Sequence, residues 1–119
     1  MEHGINEETK AHGDNVFVLV EEYYPKEGRS KDVLEIATES AKSIFGFDGL
    51  LMAKTLTPKK VDGAICNITT WESEEYFNSF MKSDALKELV KSPMMATVKE
   101  ATSDIKVNMY QLALGWHQS

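Results

Sequence analysis

Two hydrophobic periods run along this chain, one of strands and one of helices. From Asn15 the run "NVFVLVEEYY" is rich in valine and aromatics and closes at Pro25 and Gly28, which is strand composition followed by a turn. Its "VFVLV" portion is continuously apolar and implies cover on both faces, whereas Glu21 and Glu22 imply that the far end of the strand reaches solvent. Ser30 is an N-cap residue by type. After it Val33, Ala37, Ala41 and Ile44 recur at helical spacing, with Leu34 and Phe45 widening the stripe, so a helix of about four turns is predicted. It ends at "FGFDG", where Gly46 suits the left-handed C-terminal position and Gly49 permits a further turn.

The runs "LLMAKTL" and "AICNITTW" flank the polar "TPKKVDG" and predict a hairpin. Beyond Trp71, Ser73 can cap a helix whose first turn carries Glu74 and Glu75 and whose apolar face is Phe77, Phe80 and Met81. Ser83 and Asp84 offer a second cap, and Leu86, Leu89 and Val90 extend the helical period towards Pro93. "PMMATVKEA" carries a weaker pattern, and "IKVNMYQLALGW" alternates in part and predicts a last strand ending at Trp116. The order β-α-β-β-α-β is the ferredoxin-like α+β plan, a four-stranded antiparallel sheet with its helices on one face. Apolar residues on the other face need a partner, and a second copy of the same sheet is the simplest one.

Composition bounds the setting. A chain of 119 residues suits one domain, here expected over 15–116 between a polar N-terminal tail at 1–14 and a short tail at 117–119. No apolar run approaches the roughly 20 residues of a membrane helix, and the opening segment has no basic stretch leading into an apolar one, so the expected location is the cytoplasm. Nineteen acids against 13 bases give a net charge of -6, with no basic stripe for a phosphate backbone, so nucleic acid is not an expected partner. Cys66 is the single cysteine, which excludes an internal disulfide and a cysteine-based metal cage. No metal motif, glycine-rich phosphate loop or nucleophile elbow is present.

The candidate chemistry sits in "NITTWESEEYF". Alternation places Ile65, Asn67, Thr69 and Trp71 on one face of their strand, so Asn67 and Trp71 look the same way. An asparagine is disfavoured inside a strand, and a buried amide without a partner costs on the order of 1–3 kcal/mol. The plainer reading gives Asn67 a backbone or water partner and lets Trp71 fill the junction between strand and helix. Met94, Met95, Tyr23 and Tyr24 read most simply as core filling.

The "WESEEYF" junction, with a β-α-β frame and a "GFDG" turn before it, resembles the antibiotic biosynthesis monooxygenase family over Asn15 to Trp116. That resemblance implies a homodimer of ferredoxin-like subunits, the dimeric α+β barrel. In its cofactor-independent anthrone monooxygenases an asparagine four residues before the signature tryptophan lines the substrate cavity with it, a spacing matched by Asn67 and Trp71. The family's tyrosine falls on Phe77, with Tyr76 one position away, and its basic residue falls on or near Lys91, with Lys87 competing. The implied site is therefore Asn67, Trp71 and Tyr76 for catalysis, with Phe77, Phe80 and Lys91 against the substrate.

The haem-degrading branch is similar over "WESEEYFNSFMKSDALKE". Where that branch has an asparagine, a tryptophan and an iron-ligating histidine, this chain has Glu21, Phe80 and Val90, and its own His3, His12 and His117 lie near the termini. The leading expectation is thus a homodimeric oxygenase without bound cofactor, acting with O2 on a small electron-rich aromatic of anthrone, phenol or quinol type. A haem-degrading protein and a non-catalytic ligand-binding or stress-associated dimer are the alternatives. The first chemistry needs a substrate anion beside O2 in a dry pocket, held by donors such as the Asn67 amide and the Trp71 indole N–H. Its proton acceptor is open among Tyr76, a lysine, water and a substrate oxygen. Replacing Asn67 by alanine is expected to cut turnover about 10- to 1,000-fold and to leave folding nearly intact.

Overall fold

A computed structural model describes residues 15–115. The order is β1 (Phe17–Pro25), α1 (Ser30–Ser43), β2 (Leu50–Leu56), β3 (Ile65–Trp71), α2 (Glu74–Met81), α3 (Asp84–Val90), α4 (Pro93–Ala101) and β4 (Thr102–Gln111). The strands form one sheet in the order β2-β3-β1-β4, with every neighbouring pair antiparallel. This is the ferredoxin-like α+β plan, with the second helix of the plan divided into three short ones.

Serine caps open two of these helices. The Ser73 Oγ accepts from the Tyr76 N–H at 3.4 Å and the Ser83 Oγ from the Leu86 N–H at 3.2 Å, satisfying donors that the first turns of α2 and α3 leave open. Pro93 occupies the first turn of α4, where its missing N–H costs nothing. "PMMATVKEA" is thus a helix, because Met94, Val98 and Ala101 form a stripe that packs on α1.

Three details differ from the sequence reading. Ser30 is the first residue of α1 and Arg29 takes the N-cap position without a side-chain cap. Instead the Arg29 guanidinium donates to Asp32 at 2.7 Å and to Glu100 at 3.1 Å, tying the start of α1 to α4. Phe45 is 76% exposed, since the helix has ended before it, and the buried stripe is Val33, Ile36 and Ala37. The last strand starts three residues before Ile105 and ends at Gln111, while Trp116 and the three histidines lie outside the described residues.

The helices cover one face of the sheet. Register places Phe17, Leu19, Glu21 and Tyr23 of β1 beside Trp71, Thr69, Asn67 and Ile65 of β3 on that face. The opposite face carries Val18, Val20, Met52, Leu56, Ile68 and Tyr110, of which Met52, Leu56 and Tyr110 are exposed. Glu22 belongs to this outer face. Glu21 does not: the two-residue period of the strand turns it towards the helices, while both glutamates stay partly exposed.

Candidate active site

Two apolar clusters fill the space between sheet and helices. One gathers Tyr23, Val33, Ile36, Ala37, Ile65, Val98 and Ala101; the other gathers Phe17, Trp71, Phe77 and Phe80. The sheet positions between them are Glu21, Asn67 and Thr69, and polar side chains there keep the two clusters from merging. A cavity of about 260 Å³ opens at that gap. Leu19, Ile44, Trp71, Phe77, Phe80, Met81, Leu86, Leu89, Val90 and Met95 form its apolar walls, and Glu21, Tyr23, Ser40, Asn67 and Thr69 supply its polar groups.

The aromatic wall is fixed by packing. Trp71 is fully buried, with the Phe80 ring 5.2 Å away and the Phe77 ring edge-on at 5.9 Å. Its indole N–H donates to the Thr69 Oγ at 3.0 Å, so the Trp71 donor is spent within the protein.

Asn67 is 4% exposed and its amide is also committed. Its Nδ2 donates to the Ala37 carbonyl of α1 at 3.0 Å and its Oδ1 accepts from the Thr55 hydroxyl of β2 at 2.6 Å. The Tyr23 hydroxyl stands between the Asn67 amide and the Glu21 carboxylate and interacts with both. The polar wall therefore runs from Thr55 through Asn67 and Tyr23 to Glu21, with Asn67 fixed by its bonds to Thr55 and Ala37.

Burial raises the Glu21 carboxyl above the usual glutamate range, and the bond from Tyr23 opposes part of that rise. Burial, followed by the charge of Glu21 and the bond to it, drives the Tyr23 hydroxyl well above its ordinary value. Tyr23 therefore stays a neutral donor, and Glu21 is the group in the cavity whose charge can change. Among the described residues, no lysine or arginine lines the cavity.

The six residues singled out from the sequence separate in space. Asn67, Trp71, Phe77 and Phe80 line the cavity together. Tyr76 is 42% exposed, with its ring packed over Gly49, and Lys91 caps the end of α3 on the surface; neither is among the lining residues. Glu21 and Tyr23 were missed as site residues, although the alternation Phe17, Leu19, Glu21, Tyr23 was the signal that puts them on the face of Asn67. Met95 lines the cavity as well as packing against the core.

The same fold occurs in solved structures at low identity. A conserved protein from Methanosarcina mazei Go1 matches with a TM-score of 0.67 at 12% identity, over 82% of this chain and 93% of that chain. SnoaB, a cofactor-independent oxygenase from Streptomyces nogalater, matches at 0.66 and 11%, over 82% and 93%. MhuD, as a mutant with two manganese protoporphyrin IX molecules bound per active site, matches at 0.65 and 16%, over 83% and 96%. The model of the antibiotic biosynthesis monooxygenase family matches residues 16–92, from the residue before β1 to the end of α3, a stretch that holds Glu21, Asn67 and Trp71. The chain belongs to the antibiotic biosynthesis monooxygenase family.

Proposed function

We propose that this protein is a monooxygenase that uses O2, without a bound cofactor, on a small electron-rich aromatic of anthrone, phenol or quinol type. The observation that carries the reading is the cavity itself, about 260 Å³ with an aromatic wall on one side and the Glu21–Tyr23–Asn67 chain on the other. Ground-state oxygen is a triplet, so in such chemistry the substrate supplies the first electron as an enolate or phenolate. A flat apolar ring suits the wall of Trp71, Phe77 and Phe80, and exclusion of water strengthens every polar contact made to the ring's oxygen.

Haem fits the lining poorly. Its iron takes a histidine, a thiolate, a methionine with histidine, or a tyrosinate, whereas among the described residues no histidine or cysteine lines the cavity and the Tyr23 hydroxyl is engaged by Glu21. Among the described lining residues, the two haem propionates would meet a carboxylate and no base. A non-catalytic binding module of the same fold draws support from a different observation, the commitment of both the Asn67 amide and the Trp71 N–H within the protein.

We also read the functional unit as a homodimer joined through the outer sheet face, because Met52, Leu56 and Tyr110 stand exposed there. β4 also exposes Ile105, Val107 and Met109 on its helix-side face, apolar surface beyond what the outer-face joint would cover.

Oxygen uptake against a panel of anthrones and hydroquinones, paired with haem titration, separates the readings. Uptake with an anthrone or hydroquinone and no Soret band from bound haem is expected. No uptake across the panel, with saturable binding of a panel member, would support the binding module; a Soret band and bilin-like products would support the haem reading.

A further inference from the structure

The open step in the proposed chemistry is where the substrate proton goes. We propose that Glu21 is the general base of this site and takes that proton directly, an assignment that rests on the oxygenase reading above for its substrate class. Glu21 lies at the middle of β1, directly opposite Asn67 in the β1–β3 register, on the helix-covered face and on the cavity wall. An acid among apolar walls with no cationic partner among the described residues is costly to keep as a charge, and glutamine would fill the same space without that cost. A carboxylate in that setting is a stronger base than one in water.

Tyr23 complements it. As a neutral donor it holds the carboxylate in place, and it is itself held by Asn67, whose other bonds anchor it to α1 and β2. Asn67 and Tyr23 thereby become positioning residues, which accounts for an asparagine whose donors all point into the protein. Apart from Tyr23 of the same strand, the described elements around Glu21 bring no titratable side chain to the cavity: α1 brings Ser40, Ala41 and Ile44, β3 brings Asn67, Thr69 and Trp71, and α2, α3 and α4 bring apolar residues. β4 places Val107 beside Glu21 in the sheet.

The step balances as an acid–base transfer. The acidic C–H or O–H bond of the substrate breaks, its electron pair stays on the substrate as an enolate or phenolate, and the proton becomes the O–H of the Glu21 carboxylic acid. After the anion has added O2, the same proton passes to the peroxide oxygen, and Glu21 returns to its charged form. Loss of water from the hydroperoxide then leaves the carbonyl product.

The test uses the full-length protein, the Glu21→Gln variant and anthrone under anaerobic conditions, where the anthrone anion absorbs at longer wavelength than the neutral form. Binding is followed by tryptophan fluorescence and folding by circular dichroism. Wild type should form the bound anion, while Glu21→Gln binds anthrone and forms it at a rate lower by about 10²- to 10⁴-fold. Equal anion formation in the two proteins, or none in wild type, would overturn the assignment. A Glu21→Asp variant, which keeps the carboxylate at a changed distance, should recover part of the rate; no recovery in a folded, anthrone-binding Glu21→Asp would also count against it. Admitting O2 separates the two claims. Anion formation that depends on Glu21 but leads to no oxygen consumption would sink the oxygenase reading and leave the base in place. Oxygen consumption that is equal in both proteins would do the reverse, and failure of anthrone to bind either protein would remove both.

Discussion

The side-chain amide of Asn67 donates to the backbone carbonyl of Ala37 at 3.0 Å, joining the middle of the sheet to the first helix. Ala37 is itself 1% exposed, so this carbonyl has no access to water when the bond is lost. Replacing Asn67 by alanine removes the side-chain bond that ties the Ala37 carbonyl of α1 to the sheet and releases Thr55 at once. We therefore expect Asn67→Ala to lower stability by roughly 1–3 kcal/mol, read from its urea midpoint, in place of the near-intact folding that the sequence suggested. Turnover should fall with it through the loosened Tyr23. An unchanged midpoint would contradict the network.

Trp71 carries the other half of the wall. It is fully buried against Phe47, Phe77 and Phe80, and truncation to alanine should cost about 3–5 kcal/mol. Trp71→Phe should cost less, retain the fold and weaken binding of a flat aromatic. Thermal melts and fluorescence-detected binding measure the two effects separately.

Gly49 is required for two reasons that one experiment can part. Its φ is +83°, and a Cβ there would overlap the Cγ of Tyr76. Gly49→Ala should destabilise by about 1–2 kcal/mol from the backbone alone, plus the cost of displacing the Tyr76 ring. A double mutant with Tyr76→Ala should recover the second cost and not the first. Full additivity of the two substitutions would mean that the ring contact carries no energy.

The raised Glu21 carboxyl makes a signed prediction for stability against pH. Its pKa is higher folded than unfolded, so its favourable contribution is complete below the ordinary value of 4.5 and is lost as pH rises through the folded value. The difference in melting temperature between Glu21→Gln and wild type should therefore grow in favour of the variant from pH 4 towards neutrality. Comparing the two proteins cancels the opposite trend of Glu100, which Arg29 holds below the usual range. A constant difference across that span would show that Glu21 ionises as it does in water.

Much of the fold was legible because its signals are local. The hairpin boundaries, the Ser73 and Ser83 caps and the Gly46 stop each follow from a few adjacent residues. The shared face of Asn67 and Trp71 followed from alternation in the same way. The role of Glu21 was not read, because two adjacent glutamates at the end of an apolar run look like a strand entering water; only the pairing of β1 with β3 shows that Glu21 points inward opposite Asn67. Tyr76 and Lys91 failed to reach the cavity for a related reason. Helical phase, set by the cap at Ser73 and the break at Ser83, turns Phe77 and Phe80 inward and leaves Tyr76 outside. The committed bonds of Asn67 and Trp71 depend on Ala37 and Thr69 coming close, which no spacing in the sequence encodes.

Cofactor-independent oxygenation is tested most directly by a single-turnover reaction of chelator-treated, haem-free protein with anthrone under ¹⁸O2. One ¹⁸O atom in the carbonyl product, formed by wild type and strongly slowed in Glu21→Gln, is the predicted result. Product formation that appears only after haem or metal is added, or a product without ¹⁸O, would contradict it.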